Sequence, residues 1–309
     1  MKISYSAPAK VIISGEHAVV YGKPALVSAI NLRLKFSLTI SSRSSKDGKV
    51  NKEIYFISNK VKKYLKKQKT KFVDRSFDYK IESKIPIGRG LGSSAALSVA
   101  SVAAFLEFYT GRKFGKEIVN NLAFQIEKHF HQNPSGVDNS ASCFGGLILY
   151  KKNVKIKNLN FKIPKTIEEK LFLIDSGKPK ETTGEMVDFV GSQNVANIFN
   201  EIEITTNKFQ DAIKKENMNL FKKCLVENEN LLKQLDVVSE KTKKLLSSLS
   251  KFGVGKVTGA GGRKTDSGFI LFYADQTNVL INFLKKRKII YYKFIPDNKG
   301  LRRISTLIN

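Results

Sequence analysis

The sequence lacks the residues from which small cross-linked or metal-stabilised domains are built. Its 309 residues include no tryptophan, three histidines and only two cysteines, Cys143 and Cys224. Two such cysteines give neither a disulfide framework nor the C-x-x-C spacing of a zinc site. His129 and His131 have no cysteine nearby to complete a metal site. We therefore exclude a disulfide scaffold and a zinc domain, and expect both histidines at the surface near a helix end.

Long hydrophobic segments are also missing. No stretch approaches the ~18 consecutive apolar residues of a membrane-spanning helix, and residues 1–9 contain no apolar core of signal-peptide length. With 41% hydrophobic and 26% charged residues, the composition is that of an ordinary globular protein, which excludes a disordered chain. We expect a cytoplasmic protein with a substantial core.

Acidic residues are scarce, since 27 Asp and Glu stand against 54 Lys and Arg, a net charge of +27. One interpretation is a nucleic acid or an anionic membrane as partner. The other is a compositional bias, because lysine, isoleucine and asparagine are frequent throughout. The excess is densest in residues 60–71, with seven lysines and no acid. They fall on a predicted amphipathic helix, residues 54–71, whose apolar face carries Ile57, Val61 and Leu65. A basic helix of this kind also suits a membrane surface.

The apolar pattern predicts a mixed α+β protein with two lobes. Predicted strands cover residues 11–13, 32–40, 77–85, 147–150, 170–175, 268–273 and 289–295. Predicted helices cover residues 54–71, 93–109, 116–130 and 276–287, with two or three more between 194 and 251. A chain of this length more naturally makes two domains than one. The polar, lysine-rich residues 151–165 are the best boundary, which predicts domains 1–164 and 165–309.

A glycine-rich turn precedes the helix of small residues. Residues 86–96 are Pro-Ile-Gly-Arg-Gly-Leu-Gly-Ser-Ser-Ala-Ala. Glycines let backbone N–H groups converge, and the helix start adds positive charge, which together suit a phosphate. The turn is not a P-loop, which needs Gly-Lys-Ser/Thr, nor a dinucleotide fingerprint, because Ser93 stands where the third glycine belongs. The alternative is a tight turn in which Ser93 or Ser94 caps the helix.

Four motifs together resemble those of one known family. The run Pro-x-Gly-x-Gly-Leu-Gly-Ser-Ser-Ala resembles the ATP-binding loop of the GHMP kinases, which phosphorylate small molecules. Residues 6–20, containing Gly-Glu-His-Ala-Val-Val, resemble the first motif, most closely in the members that phosphorylate mevalonate. Residues 133–139, Asn-Pro-Ser-Gly-Val-Asp-Asn, are similar to the segment with the catalytic aspartate, and residues 256–262 resemble the third motif. The resemblance implies a two-lobed GHMP-kinase-like fold with the active site in the cleft between the lobes.

The resemblance also implies a catalytic pair. Asp138 would take the proton from the attacking hydroxyl, and Lys10 would stabilise the negative charge that develops. Taken alone, Ser135 to Asp138 fits a capping-box spacing, and Lys10 would be a strand lysine that reaches solvent. Glu127 cannot share a helix with Asp138 because Pro134 breaks the helix between them. The resemblance implies that Glu127 and Ser94 hold Mg²⁺.

Further residues are implied to bind the two substrates. The implied ATP-binding residues are Pro86, Gly88, Arg89, Gly90, Leu91, Gly92, Ser93, Ser94 and Ala95. The implied acceptor-binding residues are Glu16, His17, Thr182, Thr183, Gly259 and Ala260. Arg89 could instead point to solvent, His17 could be a satisfied buried histidine, and the threonines could form an ordinary turn.

The third motif departs from the family pattern. After Gly262 the chain continues Arg263-Lys264-Thr265-Asp266-Ser267, where relatives have more glycines. The two cations either add charge to the nucleotide site or lie on a longer loop that projects outward.

The implied activity is ATP-dependent phosphorylation of the primary hydroxyl of mevalonate to 5-phosphomevalonate, in isoprenoid precursor synthesis. ATP and Mg²⁺ are the implied cofactors, and a homodimer is compatible with the resemblance. Phosphomevalonate, sugar and homoserine kinases are alternatives within the family. The alternative from another class is a basic nucleic-acid-binding protein on this fold, although aromatic residues do not alternate with the basic ones as stacking platforms should. Most of the excess charge lies away from the motifs. We therefore interpret it as compositional and expect neither a specific nucleic acid nor a membrane as partner.

Overall fold

A computed structural model describes residues 2–41, 51–130, 134–152, 157–159 and 161–304. His131, Asn133 and part of the predicted boundary at 151–165 lie outside these residues. Over the described ranges the structure is a mixture of strands and helices arranged around two sheets. This confirms the predicted α+β class.

The first lobe is built on a six-stranded antiparallel sheet. Its strands are β1 (Lys2–Ser14), β2 (Ala25–Ile40), β3 (Phe77–Ser83), β4 (Leu147–Tyr150), β5 (Lys157–Asn158) and β10 (Arg302–Arg303). The order is β10-β1-β2-β4-β5, and β3 pairs with the second half of β2. Strand β1 is buried along nearly its whole length, although its sequence alternates apolar residues with Ser4, Ser6 and Lys10. Both of its faces are therefore covered by protein.

Four helices complete this lobe: α1 (Lys52–Lys67), α2 (Ser93–Thr110), α3 (Lys116–Phe130) and α4 (Val137–Phe144). Helix α2 packs on β1 and β2 and is buried from Ala95 to Tyr109 except at Leu97. Its small residues allow this close packing, and Gly111 ends it in the left-handed conformation. Although α2 is long and apolar enough to cross a membrane, 78% of it is buried inside the protein. It is the central core helix of the lobe.

The second lobe contains a four-stranded antiparallel sheet in the order β7-β8-β6-β9. Its strands are β6 (Leu171–Gly177), β7 (Gly253–Thr258), β8 (Gly268–Ala274) and β9 (Tyr291–Lys293). Its helices are α5 (Lys165–Glu168), α6 (Thr183–Gly191), α7 (Ala196–Lys214), α8 (Met218–Gln234), α9 (Glu240–Leu249) and α10 (Thr277–Lys286). Short 3₁₀ helices occur at Ala18–Tyr21 and Ser250–Phe252.

The two lobes share an apolar core. One cluster of buried side chains contains Phe36 and Phe105 of the first lobe together with Phe209, Phe221 and Phe269 of the second. The chain also returns to its start, because β10 pairs with β1 after the second lobe is complete. The division into domains 1–164 and 165–309 stays a prediction.

The lysine-rich helix is anchored by its apolar face. In α1, the side chains of Ile54, Ile57, Val61 and Leu65 are fully buried against the lobe. An interfacial membrane helix needs its apolar face free to enter the lipid, and here that face is covered by protein. The lysines of α1 therefore form a solvated outer surface.

Candidate active site

A cavity of about 520 Å³ opens between the two lobes. Its walls include Lys10, His17, residues 87–90 and 92–95 of the glycine loop, Glu127, Asp138, residues 178–184 and residues 259–261. The cavity thus joins all four motifs that the sequence separates by long stretches of chain. It is the place where the predicted site residues can act on one ligand set.

The glycine loop presents an open helix N-terminus to this cavity. Gly88, Gly90 and Gly92 all have positive φ, and Gly92 is the N-cap of α2 with no side-chain hydrogen bond to the first turn. The alternative in which Ser93 or Ser94 caps the helix is therefore wrong. Because the first N–H groups of a helix have no partner within it, this turn can donate to a phosphate.

Gly92 is also the point where the loop meets the predicted catalytic pair. A Cβ at this position would stand 2.9 Å from Lys10 Cγ and 3.7 Å from Asp138 Oδ2. An added Cβ would therefore push Lys10 away from the loop, whereas it would only touch Asp138. The backbone N–H of Lys10 donates to Leu91 O at 3.1 Å, which ties β1 to the turn.

Lys10 and Asp138 form an ion pair at the floor of the cavity. Lys10 Nζ lies 3.1 Å from Asp138 Oδ1, with the lysine side chain 3% exposed and the aspartate 27% exposed. Asp138 lies in the first turn of α4, whose N-cap is Gly136, and Ser135 Oγ accepts from Val137 N at 3.3 Å rather than from the N–H of Asp138. The capping-box interpretation of Asp138 is wrong, because its carboxylate is turned to Lys10.

Glu127 reaches the same cavity from the last turn of α3. Burial, and next the charge of Asp138, raise the pKa of Glu127 to about 8, whereas Lys10 acts in the opposite direction. Two carboxylates that destabilise one another in this way favour a bound cation between or beside them.

Asn139 holds Glu127 from behind, a contact that sequence analysis missed. When its amide is oriented so that both polar atoms have complementary partners, Nδ2 donates to Glu127 Oε2 at 2.9 Å and to Gly136 O at 3.0 Å. Its Oδ1 then lies 2.7 Å from the terminal oxygen position of Asn120, so the Asn120 amide must be turned as well for its nitrogen to donate. Both asparagines are buried. The only sequence signal is the position of Asn139 directly after Asp138.

These donors fit magnesium, although no protein-only metal site is present. The described residues contain no group of three or more His, Cys, Asp or Glu side chains able to hold a metal. Glu127 and the exposed hydroxyl of Ser94 both line the cavity beside the open N-terminus of α2. Carboxylate and hydroxyl oxygens are ligands of a hard cation that takes its remaining ligands from water and nucleotide phosphates.

His17 lines the cavity, and its ring is held by the third motif. Its Nε2 lies 3.0 Å from the carbonyl oxygen of Ala260, so Nε2 must carry the proton and Nδ1 must be an acceptor. Within the described chain Nδ1 is buried and has no partner. Burial lowers the pKa of His17 to about 4, which keeps the ring neutral.

The glycine loop and the third motif meet at their glycines. A Cβ on Gly259 would stand 3.0 Å from Gly90 O, so the two loops pack backbone against backbone. Gly259 and Ala260 line the cavity as expected.

Both halves of the chain match profiles of one family. The profile of the GHMP kinases N terminal domain matches residues 57–146, and that of the GHMP kinases C terminal matches residues 209–284. A mevalonate kinase of Archaeoglobus fulgidus is 32% identical over 270 residues, covering 83% of this chain and 88% of that protein. The chain belongs to the GHMP kinase family.

Solved structures agree with this assignment. The crystal structure of the Methanococcus jannaschii mevalonate kinase has a TM-score of 0.77 at 26% identity, covering 99% of this chain and 98% of that one. A Streptococcus pneumoniae phosphomevalonate kinase has a TM-score of 0.74 at 19% identity, covering 98% and 100%. The predicted GHMP fold is confirmed, and because the second protein shows the fold alone, the fold does not by itself select the acceptor.

Other predicted contacts of this GHMP kinase lie beside or beneath the cavity. Pro86 and Leu91 do not line it, and Leu91 is buried in the core, where it supports the loop. Glu16 is buried below the cleft, and its carboxylate pairs with Lys256. These three residues do not line the cavity, and their predicted contacts with the ligands stay predictions.

Thr182 and Thr183 line the cavity, but Thr182 has a structural partner. It caps α6 in a capping box with Glu185, whose N–H donates to Thr182 Oγ1 at 3.2 Å. Thr183 starts that helix. The adjacent Lys178 and Lys180 also line the cavity and were missed, because two exposed lysines are inconspicuous in a chain this basic.

Three basic residues in or near the motifs differ in their relation to the cavity: Arg89 lines it but is paired with a carboxylate, whereas Arg263 and Lys264 do not line it. The guanidinium of Arg89 pairs with Asp175 rather than pointing freely to solvent, and its contact with the nucleotide stays a prediction. Arg263 pairs with Asp236, with its Nε 2.8 Å from Oδ2, and its guanidinium lies 3.7 Å from the ring centroid of Phe189. Neither Arg263 nor Lys264 lines the cavity, so of the two alternatives the structure favours the outward one.

Proposed function

We propose that this GHMP kinase transfers the terminal phosphoryl group of ATP to the primary hydroxyl of mevalonate, giving 5-phosphomevalonate for isoprenoid precursor synthesis. The observation that carries the proposal is the Lys10–Asp138 pair, 3.1 Å apart, in a cavity that also contains the open N-terminus of α2. The 32% identity to a mevalonate kinase over most of both chains supports the choice of acceptor.

The nucleotide phosphates belong at the glycine loop. The uncapped N–H groups of Ser93, Ser94 and Ala95 can donate to phosphate oxygens, and the helix start adds a partial positive charge. The three glycines leave no side chain between these donors and the ligand.

Asp138 is the base in this proposal. Its carboxylate is the exposed partner of the pair, so the acceptor hydroxyl can approach it from the cavity while Lys10 holds it from the protein side. A positioned carboxylate that accepts the hydroxyl proton is sufficient, because phosphoryl transfer depends mainly on alignment and charge stabilisation. The ammonium group of Lys10 then stabilises negative charge at the reacting oxygens.

Glu127 and Ser94 would hold Mg²⁺ together with the nucleotide. When bound, the ion neutralises phosphate charge and fixes the orientation of the transferred group. Asn139 keeps the Glu127 carboxylate turned to the cavity through its 2.9 Å hydrogen bond.

The acceptor end of the cavity suits a hydroxy acid. His17 lines this part of the cavity as a neutral ring, and Lys180 beside Thr182 and Thr183 offers a cation for a carboxylate. The proposed contact with Glu16 is indirect, through the loop that places His17. A cytoplasmic location and a homodimer stay predictions.

A substrate panel separates mevalonate from the other acceptors of the family. Purified protein with Mg-ATP should release ADP with mevalonate but not with phosphomevalonate, galactose or homoserine, and phosphorus NMR should place the new ester on the primary hydroxyl. An equal rate with galactose or homoserine would contradict the proposal that mevalonate is the acceptor.

The role of Asp138 is tested by Asp138→Asn. Losing a general base typically lowers turnover by about 10²–10⁴-fold, while ATP should still bind. Asp275→Asn is the matched control, because Asp275 also pairs with a lysine, Lys222 at 2.7 Å, but lies outside the cavity. Full activity in Asp138→Asn would contradict the proposed mechanism.

A further inference from the structure

Arg89, the cation within the glycine loop, connects the two lobes. The guanidinium of Arg89 pairs with Asp175, which lies near the end of β6. The side chain of Asp175 is only 5% exposed. The pair raises the pKa of Arg89 through its hydrogen bond to Asp175. Arg89 is therefore committed to the second lobe, and its charge is already neutralised by a carboxylate.

This contact fixes the turn that follows β6. Asp175 Oδ1 accepts from Gly177 N at 2.9 Å, and the pairing of β6 with β8 shifts register between Asp175 and Gly177. Opposite Gly177 lies Gly268, where a Cβ would stand 2.7 Å from Arg89 O. The end of β6 thus lies directly against the glycine loop of the other lobe.

The turn after β6 places Lys178 against the glycine loop. A Cβ on Gly88 would stand 2.8 Å from Lys178 Cε and 3.5 Å from its Nζ, so the lysine side chain lies on the glycine itself. Lys178 lines the cavity and is exposed. Among the described residues no carboxylate lies within ion-pair distance of Lys178, whereas Lys10 is paired with Asp138.

We propose that Lys178 binds the phosphates of the nucleotide beyond the α-phosphate, and that Arg89 positions it through Asp175. The proposal rests on the ATP-dependent activity proposed above. A lysine ammonium is a compact charge that suits phosphate oxygens, and the contact is charge-assisted. Lys178 approaches from the second lobe, so the nucleotide is held by both lobes at its phosphates.

Nucleotide affinity measured by calorimetry tests the assignment without any acceptor. Lys178→Gln should weaken Mg-ATP and Mg-ADP about tenfold, the loss expected for one charge-assisted hydrogen bond at a partly exposed site, and should leave AMP unchanged. Lys178→Arg should retain most of the affinity. Lys244→Gln is the matched control, because it removes the same charge from an exposed position of α9 outside the cavity.

A double-variant cycle tests the positioning role of Arg89. Arg89→Gln should weaken ATP in the wild-type background but add little in Lys178→Gln, because both act through the same ammonium group. Independent, additive losses would overturn the positioning role.

Three further outcomes would overturn the role of Lys178 itself. These are unchanged ATP affinity in Lys178→Gln, an equal loss for AMP, and an equal loss in Lys244→Gln. If the wild-type protein binds ATP and phosphorylates mevalonate but Lys178→Gln behaves normally, only this inference fails. If the wild type binds no ATP, the proposed kinase activity fails with it.

Discussion

The buried ion pair beneath the cleft offers the sharpest test of how the two lobes are held together. Lys256 in β7 and Glu16 after β1 both have fully buried side chains, and Lys256 Nζ donates to Glu16 Oε1. Burial lowers the pKa of Lys256 and raises the pKa of Glu16, and in each case the partner opposes the shift. Within the described chain Glu16 Oε2 has no further partner. The contacts of the pair therefore do not fully replace the hydration that its two charges lose on burial.

Lys256→Met should be severely destabilising because it leaves the Glu16 carboxylate buried without a counter-charge. Removing one partner of a buried pair costs about 3–5 kcal/mol, against a total stability of about 5–15 kcal/mol. With an unfolding entropy of about 2.1 cal/mol/K per residue, a chain of this size should lose about 5–8 °C in its melting temperature. Guanidinium unfolding and a thermal scan both measure this change.

The double variant Glu16→Gln, Lys256→Met decides whether pairing is the cause. Removing both charges should recover most of the lost stability, since a buried pair contributes little net stability compared with neutral residues. Lys222→Met is the matched control, because its pair with Asp275 is exposed and should be worth at most ~1 kcal/mol. If the double variant is as unstable as the sum of the singles, or if Lys256→Met unfolds like the wild type, the reasoning is wrong.

Three further variants test the site. Asn139→Ala should weaken metal binding about 10–100-fold, as for other residues that orient a metal ligand. Electron paramagnetic resonance of Mn²⁺ in the presence of ADP measures this affinity. Unchanged Mn²⁺ binding would show that Asn139 does not position Glu127. Burial lowers the pKa of His17 to about 4, so the unfolded chain binds more protons between pH ~6.5 and ~4 and stability falls as the pH is lowered through that window. His17→Asn should lose this part of the acid destabilisation in unfolding curves at successive pH values, and parallel slopes would contradict it. Gly92→Ala should lower stability by about 1–2 kcal/mol for the positive φ and also reduce turnover by displacing Lys10, whereas Gly111→Ala, with the same φ of 75° and no neighbouring atom within 4 Å, should change stability alone.

The local chemistry of the site was predictable from the sequence, because it depends on consecutive residues. Three alternate glycines before a helix of small residues indicate an open N-terminus, and the structure has one at Gly92. The helix over α3 and its separation from Asp138 also followed from Pro134. Strand β7 and helix α4 were not predicted, since a Gly-Val-Gly-Lys strand and an eight-residue helix with several small polar residues have weak periodicity.

Pairings between distant residues could not be predicted in the same way. In a chain with so many lysines, nothing local indicates that Glu16 meets Lys256 or that Arg89 meets Asp175. These contacts depend on the register of strands from different lobes, which the sequence does not specify residue by residue. For this reason the pairs that Glu16 and Arg89 form with Lys256 and Asp175 were not anticipated, whereas the expected meeting of Lys10 with Asp138, taken from the family motif, agreed with the geometry.

The scarcity of acidic residues makes their placement informative. In the described chain the two fully buried lysines, Lys10 and Lys256, each have a carboxylate partner, because an unpaired buried cation is too costly to keep. The surplus positive charge must therefore lie in solvent, as it does on α1, whose apolar side chains are buried in the first lobe. There it changes the long-range attraction of anionic substrates, an effect that salt screens beyond about 10 Å at 0.1 M. The net charge of +27 thus describes the surface of this kinase, while the chemistry of its cleft depends on a few cations whose partners, or lack of partners, the fold determines.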